Sequence, residues 1–545
     1  MTDSKSFFWV LLVLSAAILF FRLGSYGLIE TSDARYAEIS AHMARSGDYV
    51  TPRLNGIKHF HKPPLTFWLT AAGFRTFGYN EWGARVLMGV AGLGTLLVTY
   101  ALASRLWGRR AAYAAWLMLL GMGGFLGAHR LLTTDPFLTL SMTVALLAFW
   151  RWQERPSAPL YSHIFFLCLG LAMLTKGPVG VLVVWLVVIC WALAVGRLAD
   201  LAALRWGIGL AVFALVGLPW YIYVAWCNEG LLRYFVFGQL AGRISGTMGH
   251  HKYPFYYIVE MLLVFCLPWT PFLVPALTEA FRAGRGPRAG PKNPSNEGAS
   301  SARAFLAAWF LVPAVFFSLP ATKLPNYILP SLPAAAILLA GWWREQDVFS
   351  RGGKVAAGVL AGGFLAYGLA LLVKPGIIAG METLSGTLAP VALVVAVAYG
   401  VSALTRRPWP AFVASAAILP LVLVLAAARL EELPLKTVRP LAERMNLIRA
   451  ADPEGRNARV TMYRCRIYGL PYYANQRVVE AGVERETQFE GAGVAGPLAP
   501  EELLASWNDK GRLYCVVPLE RLAEFHGRRY KVLATHNKLV LISNE

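Results

Sequence analysis

Charge is scarce in this chain, and acid scarcer still: of 545 residues 15% are charged, with 31 Asp and Glu against 51 Lys and Arg. So little charge, set against 57% hydrophobic residues and a mean hydropathy of +0.49, excludes an ordinary soluble domain. Cysteine is rare as well, with six in all. Cys168, Cys190, Cys227 and Cys266 fall in or beside apolar runs without metal-type spacing, which leaves them as small buried hydrophobes. Cys465 and Cys515 lie in a more polar C-terminal stretch, where an oxidising compartment would allow a disulfide between them if their Cα atoms are within reach. No internal repeat of fixed period is present.

What the chain does have is apolar blocks of roughly 17 to 25 residues, the length a helix needs to cross about 30 Å of hydrocarbon. Lipid offers backbone groups no partner, so such blocks are helices. The reading places spans at residues 7–24, 83–104, 111–128, 136–151, 160–174, 177–196, 206–225, 255–279, 304–319, 326–343, 355–373, 387–404 and 409–428, about thirteen in all. The first is read as a retained helix, because only Lys5 precedes its apolar part and no small-residue cleavage site follows Phe20. Alternate loops carry the arginines, among them Arg105, Arg109, Arg151, Arg197, Arg282, Arg344 and Arg406, so that set is expected in the cytoplasm. The N-terminus is then cytoplasmic, and residues 25–82 and 429–545 lie outside. The net charge of +20 follows from this spread of topology signals and membrane-lipid contacts, with no single basic face for nucleic acid.

Two domains are expected. Residues 1–428 form an all-α polytopic membrane domain that includes the outer juxtamembrane loop 25–82, with a mobile Gly/Pro/Ser-rich connector at 283–301. Residues 429–545 switch to short β-branched runs at 459–464, 477–481, 512–518 and 530–542, with a helical stretch at 500–506. They read as a periplasmic α/β domain large enough to hold its own core.

The unusual polar residues collect in the outward loops. In the first, Tyr36, Ile39 and Met43 recur at helical spacing, which predicts an amphipathic helix along the membrane surface, with Thr31 or Ser32 as N-cap and Asp33 in the first turn. Asp33 is either a dipole partner or, in the company of Glu30, Arg35, His59, His61 and Lys62, part of a reactive site. His59 and His61 stand at i and i+2, on one face of an extended segment, and suit a divalent metal ion, a base, or headgroup contacts. Lys62 precedes two prolines and sits on a stiff segment suited to a phosphate. Asp135 lies at the mouth of a span, where a carboxylate is costly without a partner. Lys176 and Lys323 each sit beside a proline turn, and Arg243 lies in a loop long enough to act as a lid. Cations brought by several loops suit a phosphate or pyrophosphate, and carboxylates suit a group that must lose a proton.

Ser32-Asp33-Ala34-Arg35-Tyr36-Ala37-Glu38-Ile39, then Ser46-Gly47-Asp48-Tyr49-Val50-Thr51-Pro52-Arg53-Leu54-Asn55-Gly56 and His61-Lys62-Pro63-Pro64-Leu65, resemble motifs of the protein O-mannosyltransferase superfamily. The likeness is to its bacterial branch, which includes aminoarabinose transferases that modify lipid A. Thr175-Lys176-Gly177-Pro178 and the run from Lys323 to Pro330 resemble further motifs, in the expected order. The family's first motif commonly reads Asp-Glu-x-Arg-Tyr, so Asp33 matches its second acid and Ser32 stands at the first. His61 stands where the family often has the Glu of Glu-Lys-Pro, and Glu30 is near enough to supply a carboxylate.

The resemblance implies a GT-C fold and a membrane glycosyltransferase in the bacterial inner membrane. Its donor would be an undecaprenyl-phosphate-linked sugar, and its acceptor lipid A, another glycan or a protein. On that reading Arg35, Tyr36, Lys62, Lys176, Lys323 and Arg243 bind substrate, while Asp33, Glu30 or Asp135 accepts a proton. His61 and His59 would hold zinc, magnesium or manganese if a metal is used, and no nucleotide cofactor is needed. The rival reading is a polytopic lipid flippase, whose marks would be inverted repeats, broken helices and charges at mid-bilayer.

Overall fold

The computed structural model describes residues 5–235, 237, 252–284, 294–374, 382–428, 436–451, 455, 458–484, 496–509 and 511–544. The chain divides into two compact units, one of residues 1–22 and 88–432, the other of residues 23–87 and 433–545.

Among the described residues the first unit is built mainly of helices, as continuous apolar sequence in a membrane requires. Among the described residues six helices of the chain are long and apolar enough to cross a bilayer: Glu81–Trp107, Pro159–Lys176, Pro178–Val195, Gly298–Ser318, Arg351–Val373 and Leu388–Thr405. The chain is therefore a multi-pass membrane protein. Two further pairs pass the same test only together, Trp206–Gly217 with Pro219–Cys227, bent by 46°, and Tyr257–Phe265 with Thr270–Arg282, bent by 105°. The sequence reading took each pair as one straight span and found no broken helix. The breaks fall at Pro219 and Pro268, where the missing N–H and the ring end the preceding turn. Other expected spans are also divided. Residues 111–128 form Arg109–Leu120 and Gly123–Ala128, and residues 326–343 form a 3-10 stretch, Pro325–Ser331, followed by Leu332–Trp343. The helix Pro294–Ser318 takes up the C-terminal end of the segment read as a connector, whose residues 285–293 lie outside the described residues.

Large aromatic side chains fill this core, including the fully buried Trp116, Trp191, Trp269 and Trp309. Their polar edges are partly satisfied: Trp116 Nε1 donates to Ser15 Oγ at 2.9 Å and Trp309 Nε1 to the Pro330 carbonyl at 2.8 Å. Arg130 closes the end of the Lys5–Phe20 helix, donating to the carbonyls of Ile18, Leu19 and Phe21 at 3.1, 3.0 and 2.7 Å. Those are the carbonyls a helix leaves without intrahelical partners.

The second unit holds a five-stranded sheet. Its strands are β3 (Arg459–Tyr463), β4 (Val479–Ala481), β5 (Leu513–Pro518), β6 (Lys531–His536) and β7 (Leu539–Ser543), and a small hairpin adds β1 (Arg53–Leu54) and β2 (Ile57–Lys58). The sheet order is β4-β3-β5-β7-β6, with β3 parallel to β4 and β5, and β7 antiparallel to β5 and β6. The run read as one strand at 530–542 is two, turned at Asn537 and Lys538, both with positive φ. Along β5 the period of two sorts residues between faces. Tyr514 and Val516 join Leu441, Met445 and Leu470 in one cluster, while Cys515 and Val517 join Trp507 and Phe525 in another. Cys465 packs with the first cluster and Cys515 with the second, so the two thiols lie against different faces of the sheet, and both are free.

The predicted outer helix is present as Ser32–Ser46. It does not present one apolar face to a membrane surface. Ten of its residues are buried, among them Asp33 and Glu38, because Leu65–Phe77 and the Gly469–Ala474 helix pack on it. Thr31 is its N-cap but makes no side-chain cap bond, and Gly47, in the left-handed region at φ 76°, ends it by donating to the Met43 carbonyl.

Candidate active site

In the second unit Asp33 and the backbone before it are held by a residue the sequence reading passed over, Arg85. It lies one turn into Glu81–Trp107, is fully buried, and uses all five of its donors. Nε and Nη2 donate to the two oxygens of Asp33, Nη1 to the carbonyls of Leu23 and Tyr26 at 3.2 and 2.8 Å, and Nη2 also to Gly27 at 2.9 Å. The Tyr26 ring lies 4.0 Å from the guanidinium carbon. Asp33 further accepts the Ile29 N–H at 2.8 Å, so this carboxylate, only 3% exposed, is fully charge-paired. A charge at the start of a long apolar run was the available signal for Arg85.

Glu30, the other expected base, turns to the C-terminal segment. Its two carboxylate oxygens accept the N–H groups of Tyr468 at 3.0 Å and Gly469 at 2.7 Å. Arg35 lies over the rings of Tyr36 and Tyr468, 5.6 and 5.2 Å from their centroids, and buried Tyr36 meets Phe67 edge to face. His59 and His61 come together as the i, i+2 spacing predicts, with ring centroids 4.3 Å apart. His59 is wholly buried with neither ring nitrogen hydrogen-bonded, and Lys62 is partly buried. Burial first, then the charges of His61, Arg35 and Lys62, hold His59 well below its ordinary pKa, so it is a neutral imidazole with a lone pair to give. That chemistry fits a divalent ion, with His61 as a second donor. Among the described residues no group of three His, Cys, Asp or Glu could hold a metal.

Two acids here titrate near neutrality. Burial pushes Glu30 and Glu38 up to about 7, outweighing the Gly469 and Tyr468 N–H groups for Glu30, and Arg45 and the Asn55 N–H for Glu38. A carboxyl whose folded value is raised binds more proton folded than unfolded between the ordinary 4.5 and about 7. Stability therefore falls as pH rises through that window and levels above it, by on the order of 3 kcal/mol for Glu38. Glu38→Gln is expected to reduce the fall of the unfolding midpoint between about pH 4.5 and 7, leaving the part due to Glu30, measured by thermal unfolding in detergent. The same slope in the variant would rule out this origin.

In the first unit Asp135 and Lys176 form a buried ion pair, 8% and 6% exposed, at the start of Asp135–Glu154 and the end of Pro159–Lys176. The lysine ammonium also sits 4.1 Å from the Tyr327 ring centroid and 5.6 Å from that of Phe317. Lys323, 2% exposed, donates to the Tyr253 carbonyl at 3.0 Å and to that of Pro320. Sequence had offered Lys176 and Lys323 as phosphate contacts and had not paired them. Tyr327 stood within a quoted motif without a role, and what it does here depends on packing that spacing does not reveal. Arg243 lies outside the described residues.

Residues 8–235 match the family described as dolichyl-phosphate-mannose-protein mannosyltransferase. A Pseudomonas aeruginosa protein named undecaprenyl phosphate-alpha-4-amino-4-deoxy-L-arabinose arabinosyl transferase is 33% identical over 371 residues, 67% of this chain and 64% of that one. A protein of the same name from Edwardsiella ictaluri is 32% identical over 321 residues, 58% of this chain and 55% of its own. The chain thus spans less than two thirds of these relatives' length. In structure it resembles ArnT from Cupriavidus metallidurans bound to undecaprenyl phosphate, with a TM-score of 0.82 and 25% identity over 99% of both chains. The chain thus has the GT-C fold, and its residues 8–235 match the protein mannosyltransferase family's model.

Proposed function

We propose that this protein moves a sugar from undecaprenyl phosphate to an acceptor on the periplasmic side of the bacterial inner membrane. The observation that carries the reading is the likeness, over nearly every residue, to a transferase holding undecaprenyl phosphate. About thirteen crossings follow from the apolar runs, and an N-terminus inside with residues 429–545 outside follows from the arginines between them.

The chemistry is a single displacement. An acceptor oxygen attacks the anomeric carbon, the bond from that carbon to the phosphate oxygen breaks, and undecaprenyl phosphate leaves with the electron pair, which inverts the anomeric centre. Lys62 and Arg35 neutralise the leaving phosphate as its charge develops, the point at which fixed cations accelerate such a step. Within the first unit Lys176, its charge balanced by Asp135, and Lys323, held on the Tyr253 carbonyl, are proposed as donor contacts from their motifs. Arg243 is a further phosphate cation by its loop. A metal at His59 and His61, if bound, would add a Lewis acid beside Lys62.

Asp33, locked to Arg85 and the Ile29 N–H, suits fixing charge and geometry better than taking up a proton. That favours an acceptor which needs no base. A phosphate monoester is already ionised at neutral pH, whereas a sugar or Ser/Thr hydroxyl is not. Phosphate groups of lipid A are therefore preferred to a protein acceptor.

The test is transfer from a labelled undecaprenyl-phosphate sugar pool in membranes carrying the intact protein or Lys62→Ala. The intact protein is expected to move label into lipid A, and the variant to lose about 100-fold or more in rate with unchanged folded protein. Label that changes leaflet without leaving the donor would instead establish the flippase reading, for which the two bent helix pairs are the structural argument.

A further inference from the structure

The segment that leads into the Asp33 helix is gripped from two sides, and the second grip belongs to the C-terminal sheet domain. Arg85 takes the carbonyls of Leu23, Tyr26 and Gly27. The next backbone groups go to the far end of the sequence. Leu28 donates its N–H to the Tyr473 hydroxyl at 2.8 Å, Glu30 donates its N–H to the Lys436 carbonyl at 2.9 Å, and the Glu30 carboxylate takes the Tyr468 and Gly469 N–H groups. Ile29, between them, caps Asp33 itself. The Tyr473 hydroxyl passes its own proton to Glu81 at 2.9 Å, one turn before Arg85, and Arg439 pairs with the same carboxylate at 3.2 Å.

The approach is close enough to dictate residue type. A Cβ on Gly469 would stand 2.9 Å from Glu30 Oε1 and 3.5 Å from the Ala34 Cβ, inside contact distance of the oxygen. Gly27 has the same restriction from the other direction, since its Cβ would lie 2.4 Å from Thr437 Oγ1. The Gly27 carbonyl is held by Arg85, the Leu28 and Glu30 groups by residues 436–473, and the Ile29 N–H by Asp33 itself, which leaves that carboxylate little freedom to shift.

We infer that Glu30 and Tyr473 are positioning residues through which the C-terminal sheet domain sets the place of the Asp33 carboxylate in the transfer site. The sheet domain is on this account a working part of the site, acting through the strap of residues 23–30. The inference rests on the transfer reading above, and its test has one arm that does not.

Glu30→Gln keeps the shape and one acceptor oxygen, and Tyr473→Phe removes one hydroxyl. In the full-length protein each is expected to lower kcat about 10- to 100-fold, the cost of a misplacement near 1 Å, with the donor KM nearly unchanged. Hydrogen exchange across residues 28–46 is expected to quicken in both variants while exchange in β3 and β5 stays slow. Unchanged kcat in both variants overturns the inference. So does a fall in kcat that tracks the folded fraction, because that describes general loss of fold. If the wild-type protein transfers no sugar, the functional reading has failed, and exchange alone decides: unaltered exchange across 28–46 then overturns the positioning role too.

Discussion

Replacing Arg85 by methionine is expected to cost about 3–5 kcal/mol of stability and all measurable transfer, the largest effect of any single change in the second unit. The argument is one of accounting for donors and charge. Arg85 donates to both oxygens of Asp33, and it also satisfies three carbonyls of the adjoining strap. Methionine fills a similar volume but removes from a buried carboxylate its two guanidinium hydrogen bonds and positive charge, and from three carbonyls the donor Arg85 supplies. Asp33→Asn alone leaves the opposite charge stranded and is expected to cost nearly as much. The double change removes both charges together and is expected to recover much of the stability while restoring no transfer, which separates fold from chemistry. Thermal unfolding in detergent, run beside labelled transfer, reads both. A double variant that transfers sugar would show that the pair is scaffold only.

Lys176→Met is the corresponding change in the first unit, expected to cost about 3–5 kcal/mol because Asp135 would be left charged and buried at the mouth of an apolar helix. The lysine ammonium has in addition the Tyr327 ring 4.1 Å away, an interaction worth about 2 kcal/mol when desolvated. Lys176→Arg keeps the charge in a flatter, wider head that does not fit the same aromatic seat, so partial stability with impaired transfer is expected. Asp135→Asn with Lys176→Met is expected to fold nearly as well as the parent. If that pair of changes leaves transfer intact, Lys176 has no role in holding the donor and serves the helix ends alone.

Local physics was readable from the residues, and pairing was not. The 3.6 spacing of Tyr36, Ile39 and Met43 marks the Ser32–Ser46 helix, and the β-branched runs mark β3, β4 and β5 nearly to the residue. The same spacing cannot tell a surface helix from one covered on several sides, because that depends on a helix at residues 469–474 that its own sequence does not mention. Arg85 shows the limit plainly. It stands 52 residues from Asp33, at the edge of a run scored as lipid-crossing, and its role exists only once the two are folded together. Pro219 and Pro268 were visible as residues, but a break of 46° or 105° is set by what each half-helix packs on. His59 and His61 met as their period of two requires, since that geometry needs nothing beyond the extended backbone between them.

The hydrogen bonds from residues 28 and 30 reach 445 and about 439 positions along the chain, and that distance orders events during synthesis. At about 5–20 residues per second the Asp33 helix emerges roughly 20 to 90 s before Gly469 exists. Arg85 follows it by only 52 positions and can pin the carboxylate early. The second set of partners arrives last, after every apolar helix has been inserted. A polypeptide broken off before residue 468 would carry all the charged residues of the outer loops yet have no means of closing the strap over them, so a partly made chain in the membrane has no competent site to release upon its neighbours' lipids.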